Sequence, residues 1–388
     1  MTALDARTLR SLPSTARSME GVVALLLLLG LVMIHATRSP LVAQEAGVDV
    51  AWGPLLKQAA KLAVGVLMFA LGLSLEPKRL LRLSPWILGA TAALLAVVWI
   101  PGVGAELNGA RRWFAFGPGF QPVEAARVAL IIWLAARLER VGPGVRDLTR
   151  GLLPTAAVPA ALAFLLLMQP DFGSALFFLG LSSLMLLLAG ARASHFALVG
   201  AVALPFIALY ASTSLQHVQY RIEQFLAPGL GHQAEQSLLA LGTGGVSGVD
   251  LGAGMAQLGY LPMVSSDFIL AAIGEQLGFI GTSIVVLSFV LFTLLGGRVA
   301  LAQPTMGRFL LAAGLTLSIA IQAIVNVAVV TAATPTKGIA LPFISAGGSS
   351  LALSLFAVGV LVRLARPNPA ELDAADPNAS KDPEVSHG

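Results

Sequence analysis

The sequence predicts an all-α polytopic membrane protein with about ten transmembrane helices and a long extracellular loop between helices 7 and 8. Three observations carry that reading. Of 388 residues, 56% are hydrophobic and 11% charged, with mean hydropathy +0.84, where a soluble domain carries roughly 25% charged residues. Apolar runs close to the ~20 residues that cross a bilayer recur along the chain. Lys and Arg gather in alternate connecting segments, the pattern of a positive inside.

In chain order, residues 1–18 form a polar lead holding Arg7, Arg10 and Arg17, ahead of the apolar run from Gly21 to Ala36. That run is long for a signal-peptide core and more spans follow it, so it reads as an uncleaved first helix. Spans are expected at 20–37, 54–75, 84–103, 122–138, 152–169, 172–190, 195–212, 266–295, 307–332 and 347–365. Residues 19–365 make one membrane unit, with the large outer loop at about 213–265 and no internal repeat. The tail, 366–388, is rich in Pro, Asp and Asn and is expected to be disordered. The absence of Cys excludes disulfides and thiol chemistry. The net charge of +4 is spread without a basic stripe, so nothing points to nucleic acid.

With the N-terminus inside, ten spans put both termini in the cytoplasm. Five of the 24 Lys and Arg then fall outside: Arg38, Arg111, Arg112, Arg221 and Lys337. Cations at an outer membrane face suit a phosphate or diphosphate. Ordinary loop charge accounts equally well for any one of them alone.

The stretch from Gly231 to Gly281 organises the rest. It begins as a glycine-rich loop, passes Pro262, and reaches Asp267 at the mouth of a long apolar segment. Ionisable groups at membrane depth are expensive and therefore functional candidates. On a helix, Ala271, Gly274, Gly278 and Gly281 would share a face with Asp267, a small-residue face suited to close packing. Asp267 reads either as a helix N-cap or as a catalytic carboxylate. Glu275 lies two turns deeper, too far for a close carboxylate pair, and reads as a structural hydrogen bond.

Other polar residues have quieter readings. Asp171, in the short turn Gln169–Ser174, is placed to cap the sixth helix. Glu124 and Arg127, three apart, can pair within the fourth span. Lys57 and Lys61 share a face of the second span, where two like charges want an anion or a route to snorkel. The cluster GTGGVSGVDLGAG at 242–254 lacks the GKS/GKT of a P-loop and has no strand before it. It reads as backbone that must approach other chain or substrate closely. The five His are scattered, and no metal-ligand spacing is present.

Seven segments, taken together, resemble the SEDS family, which includes FtsW, RodA and SpoVE: NGARRW (108–113), QPVEAARVAL (121–130), QPDFGSA (169–175), YRIEQFLAP (220–228), HQAEQSLLALGTGG (232–245), YLPMVSSDFILAAIGEQLG (260–278) and PTKGIALPFISAGGSS (335–350). The resemblance spans most of the chain in family order. It implies ten spans and a peptidoglycan glycosyltransferase that polymerises lipid II at the outer face of the cytoplasmic (inner) membrane, during division or growth. It also implies partnership with a class B penicillin-binding protein and other divisome or elongasome membrane proteins. Asp267 matches the family's essential aspartate, Arg112 and Trp113 an essential outer-loop pair, and Lys337 the Lys of the PTKG turn, which leans toward FtsW. Five positions depart from the pattern: Val123 for Ser, Arg127 for Lys, Met263 for Glu, Ser266 for Thr and Ala346 for Tyr. Met263 and Ala346 bear on local substrate contacts.

The residues fit that chemistry. A diphosphate leaves without a general acid, so one carboxylate base suffices, and Asp267 is the candidate. Arg111, Arg112, Arg221 and Lys337 are the expected stabilisers of leaving charge. Trp113 would stack on a sugar or anchor at the interface. No cofactor is specified; a Mg or Mn ion would share the cations' role, without a dedicated site in the sequence. A lipid II flippase, with Lys57, Lys61, Glu124 and Arg127 along a path, and a non-catalytic divisome scaffold are the competing readings.

Overall fold

A computed structural model of the chain describes residues 6–46, 52–107, 110–115, 119–198, 200–201, 223, 225, 231–256 and 260–366. The described chain is helical apart from one small hairpin. The first three helices are α1 (Ala6–Ala46), α2 (Gly53–Ser74) and α3 (Pro77–Val97), followed by the strands β1 (Gly104–Leu107) and β2 (Ala110–Phe114). Then come α4 (Pro122–Val141), α5 (Leu153–Met168), α6 (Phe172–Leu188) and α7 (His232–Gly244). The last three are α8 (Ile269–Leu301), α9 (Met306–Val330) and α10 (Gly348–Leu364). Six helices are long and apolar enough to cross a membrane by length and composition, and α6 and α10 are shorter apolar helices. The protein is a multi-pass membrane protein. Nine predicted spans coincide with helices, and the seventh, 195–212, lies mostly outside the described residues, as do most of the outer loop's first half and residues 367–388.

Local differences from the sequence reading have local causes. The polar lead is already helical from Ala6, continuous with the first span. The third helix starts at Pro77, a residue suited to a first helical position, and ends at Val97. The apolar run beyond it holds Pro101, Gly102 and Gly104, and turns into the hairpin, in which Ala105 pairs with Trp113 and Glu106 with Arg111. Helix α7 forms within the segment read as a glycine-rich loop, and its Ser237 hydroxyl donates to the Val330 carbonyl at 2.7 Å.

Burial separates an inner layer from an outer one. In α9, 61% of the apolar window is buried, against 17% in α2. Leu67 on α2 and Trp86 on α3 are exposed along flanks that a bilayer would cover. The centre is α4, α9 and α10, with α2 lying along α10 and α3 along α4.

One end of the bundle collects the ends of α1, α3, α5 and α9 and the starts of α4, α6, α8 and α10. Side-chain hydrogen bonds tie these ends together. The Gln121 N–H donates to Ser349 Oγ at 3.0 Å, joining the starts of α4 and α10. Gln169 Nε2 donates to the Leu95 carbonyl at 2.6 Å, joining the ends of α5 and α3.

Candidate active site

Asp267 stands at that end, in a turn ahead of α8. The helix begins at Ile269 with Phe268 at the N-cap position and no side-chain cap. Asp267 is therefore not the cap, which corrects one of the two sequence readings. Its N–H donates to the Met263 carbonyl at 3.1 Å. Met263, where the family pattern has Glu, is 60% exposed and holds φ at +58°, a conformation uncommon outside glycine. The half-buried Asp267 side chain lies against Gly338 of the Pro335–Gly338 turn. A Cβ on Gly338 would sit 2.9 Å from Asp267 Oδ2, so only glycine lets turn and carboxylate approach this closely.

Two amides on α9, not singled out from the sequence, hold the loops in place. Asn326 Nδ2 donates to the carbonyls of Asp267 and Ile339, each at 2.8 Å. One side chain thus pins the backbone of the acid and of the turn facing it. One helical turn earlier, Gln322 Nε2 donates to the Ala340 carbonyl at 3.0 Å and to Ser350 Oγ at 3.3 Å, while its Oε1 accepts from Arg127 at 2.8 Å. The signal available in the sequence was a pair of amides at i, i+4 in an apolar helix, where unpaired polar groups are costly.

The loop after α9 is zipped to the loop before α8. Ser345 Oγ accepts from the Leu341 N–H at 2.8 Å and donates to the Ser266 carbonyl at 2.5 Å. The Ala346 N–H donates to the Ser265 carbonyl at 3.0 Å. Lys61 Nζ donates to the Ala346 carbonyl at 2.6 Å, and Arg38 Nε to Ser265 Oγ at 2.7 Å. Arg38 lies in no family motif, yet it touches the turn that carries Asp267. Lys57 is exposed on α2 and is, with Arg38, a charged neighbour of Lys61.

Of the predicted outer cations, the structure brings Arg112 and Lys337 to one turn. Arg112 donates to the carbonyls of Gln169 (3.4 Å) and Pro170 and lies 3.9 Å from Asp171. Lys337 Nζ donates to the Gly173 carbonyl at 2.7 Å. Asp171 caps α6, accepting the Ser174 N–H at 3.1 Å and its hydroxyl at 2.8 Å. Arg111 pairs instead with Glu106 across the hairpin at 2.8 Å. Trp113 is partly buried in β2. Arg221 lies outside the described residues.

Glu124 and Arg127 pair at 2.7 Å, and the Arg127 guanidinium stands 5.6 Å over the Phe177 ring. Glu275 is fully enclosed and accepts the N–H groups of Met255 (2.7 Å) and Ala256 (3.1 and 3.3 Å). Next to it, Gln276 Oε1 accepts the Gly252 N–H at 3.1 Å. The glycine-rich loop is thus docked on the first part of α8. That part is set off by Gly278, whose φ of +65° breaks the helix, with the loop backbone at Val246 and Gly248 filling the space a side chain would need. The expected small-residue face is consequently interrupted at Gly278, and Gly274 packs on Leu241 of α7.

This arrangement can do acid–base chemistry at one carboxylate, which lies against the turn that carries Lys337; Lys337 and Arg112 in turn both bind the Pro170–Gly173 segment. Among the described residues, no three His, Cys, Asp or Glu side chains gather in one place. A divalent ion would therefore take one or two carboxylates from this chain, Asp267 among them, and the rest of its shell from phosphate and water, a mode Mg²⁺ uses commonly.

The cell cycle protein model that groups FtsW, RodA and SpoVE matches residues 16–369. "Probable peptidoglycan glycosyltransferase FtsW" of Trichlorobacter lovleyi is 44% identical over 286 residues, which cover 72% of this chain and 74% of that protein. Stage V sporulation protein E of Bacillus subtilis is 39% identical over 280 residues, 70% of this chain and 76% of that protein. Among solved structures, a chain of a peptidoglycan synthase complex described as coordinating polymerization and crosslinking aligns with TM-score 0.74 and 27% identity, covering 94% of this chain and 98% of that one. Thermus thermophilus RodA aligns with TM-score 0.64 and 27% identity, covering 90% and 96%. With its helical bundle, the loops that converge on Asp267 and a family match along nearly its whole length, the chain belongs to the FtsW/RodA/SpoVE family.

Proposed function

We propose that this protein is a peptidoglycan glycosyltransferase that polymerises lipid II at the outer face of the cytoplasmic membrane, with both termini inside and Asp267 as general base. The observation that carries the reading is the placement of Asp267: a half-buried carboxylate held against the Lys337–Gly338 turn where the bundle's loops converge. Relatives named as glycosyltransferases, and a structural neighbour from a polymerising and crosslinking complex, support the same reaction class and a penicillin-binding protein partner.

In this reading the 4-hydroxyl of one lipid II attacks the anomeric carbon of a glycan strand carried on a lipid diphosphate. Asp267 takes the hydroxyl proton as the new glycosidic bond forms, and the bond to diphosphate breaks with its electron pair on the leaving oxygen. Arg112 and Lys337 flank the Pro170–Gly173 turn and place positive charge beside the site, so that the departing diphosphate meets a preorganised field. A bound Mg or Mn ion would add Lewis-acid charge to the same leaving group. Glu124 and Arg127 are tied to each other and to Gln322, the geometry of a fixed strut rather than a transport path.

The test is glycan-chain formation from labelled lipid II by purified Asp267→Asn protein, with and without a class B penicillin-binding protein. Asn keeps the shape and loses the proton acceptor, so a stable variant with polymerisation reduced ~10²–10⁴-fold is expected. A stable variant that still makes near-normal glycan ends the assignment.

A further inference from the structure

Asn326 lies one turn before the end of α9 and is 1% exposed. Its amide nitrogen carries two N–H donors, and each goes to a different main-chain carbonyl, Asp267 on one side and Ile339 on the other. These neighbours settle which way the amide points, because a flipped group would set its oxygen against two carbonyl oxygens. The other half of the amide is unsatisfied: Asn326 Oδ1 is buried and has no hydrogen-bond partner. A buried polar atom left without a partner calls for an explanation.

A second amide of the same kind lies at the opposite end of the bundle, where α8 and α10 finish. Gln303 is equally buried, its Nε2 donates to the carbonyls of Val299 (2.9 Å) and Leu364 (3.1 Å), and its Oε1 has no partner. Gln303 fastens two helix ends to each other. Asn326 differs in what it joins. Ile339 follows Gly338 directly, so the two carbonyls that Asn326 holds flank the contact in which the Asp267 carboxylate lies against Gly338. The Asp267 N–H, by contrast, bonds within its own loop, to the Met263 carbonyl. One side chain from the buried centre of the bundle thus sets the distance between the backbone of the acid and the turn that carries Lys337.

We propose that Asn326 is a positioning residue of the glycosyl transfer: it fixes the Asp267 carboxylate and the Lys337–Gly338 turn at one separation, with its own oxygen left unpaired. The inference rests on the reading of Asp267 as general base. A base must lie within hydrogen-bond reach of the proton it takes, and a misplacement of about 1 Å costs about 100-fold in rate. Asn326 touches no substrate in this role and acts only through the two loops it ties.

The experiment compares the purified full chain with Asn326→Ala, Gln303→Ala and Asp267→Asn, each with a class B penicillin-binding protein. Glycan-chain formation from labelled lipid II, lipid II affinity and melting temperature are measured on the same preparations. Both Ala variants lose a buried amide that bridges two carbonyls, so both are expected to melt lower, by similar amounts. Asn326→Ala is expected to cut turnover per folded molecule about 10- to 100-fold with lipid II affinity retained, whereas Gln303→Ala should leave turnover unchanged. Normal turnover in Asn326→Ala, or an equal loss in Gln303→Ala, overturns the proposal. Asn326→Ala placed on Asp267→Asn is a second readout. A residue that acts through the carboxylate adds little loss once the carboxylate is gone, and independent, multiplying losses refute the assignment. Near-normal glycan from Asp267→Asn ends the base assignment itself; an inactive Asp267→Asn beside a fully active Asn326→Ala ends only this inference. If Asn326→Ala does not fold, Asn326→Ser keeps one donor of the two. An intermediate loss of turnover there supports the role, and no loss refutes it.

Discussion

Asp267 and Glu275 are the two carboxylates at the head of α8, and their environments differ completely. Glu275 is 2% exposed, and its oxygens accept backbone N–H groups of Met255 and Ala256. Asp267 is half-buried, outside the helix, with its backbone fixed by Asn326 and its side chain against a glycine. The more deeply buried acid is therefore the one committed to architecture, holding the glycine-rich loop in place. Membrane depth and charge alone mark both residues as functional. What separates them is position: Glu275 is enclosed and holds two loop N–H groups, while Asp267 lies half-buried against the Lys337–Gly338 turn.

The largest expected effect is at Asp267 itself: the ~10²–10⁴-fold loss on Asp267→Asn with thermal stability retained. Gly338→Ala should follow, because the new methyl must displace the carboxylate or the turn. Polymerisation is expected to fall about 10- to 100-fold, on the scale of a misplacement of about 1 Å, while lipid II binding is retained. Near-normal glycan synthesis would show that the close approach is incidental. Glu275→Gln sharpens the contrast from the other side. The Gln amide group opposes a backbone N–H, costing about 1–3 kcal/mol. A lower melting temperature and faster hydrogen exchange at 252–256 are expected, with activity per folded molecule close to that of the parent. A stable Glu275→Gln protein as inactive as Asp267→Asn would invert the comparison.

Arg38→Ala should have a smaller effect, a several-fold loss of polymerisation, since it removes one exposed donor to Ser265. Activity unchanged within error would reduce that contact to ordinary surface charge. The smallest effect concerns a carboxylate at the far end. Hydrogen bonds from the Arg150 N–H, and then from Thr149, hold the Asp147 carboxyl below its usual range. A depressed carboxyl stabilises the fold above its unfolded value of about 4, and that contribution disappears as pH falls through the lower folded value. Asp147→Asn should therefore lower the melting temperature slightly at pH 7, with the difference vanishing in acid. A difference that grew on acidification would contradict this assignment.

Much of this architecture was legible because a bilayer imposes length. Nine apolar runs became helices near their expected positions. The hairpin escaped notice because its strands are short and follow an apolar run that reads as helix until Pro101. Helix α7 escaped because Gly242 and Gly244 lie inside it, and its stability comes from packing on α8 rather than from propensity. At the site, Asp267, Lys337 and Arg112 stood out as charges in apolar or outer segments. Asn326, Gln322 and Ser345 did not, and neither did the contact of the outer cation Arg38 with Ser265, because these partners lie far along the chain or are main-chain carbonyls with no side-chain signature. The grouping of Arg111 with Arg112 failed for the opposite reason. Neighbours in a strand point to opposite faces, so Arg111 meets Glu106 while Arg112 reaches the Pro170 turn.

The break at Gly278 also bears on how the chain enters the membrane. The segment from 279 to 301 holds only Arg298 as a charged residue and reaches the ~20 residues that insertion requires without help from what precedes it. The arm from 269 to 277, with Glu275 on it and Asp267 before it, need not be threaded through hydrocarbon as part of that stem. Each carboxylate at the centre of an inserting helix would cost about 2.5–3.5 kcal/mol. By bending at Gly278 the chain separates the part that partitions into lipid from the part that carries the acid. The stem beyond Gly278 can therefore partition into lipid without drawing either carboxylate into hydrocarbon with it.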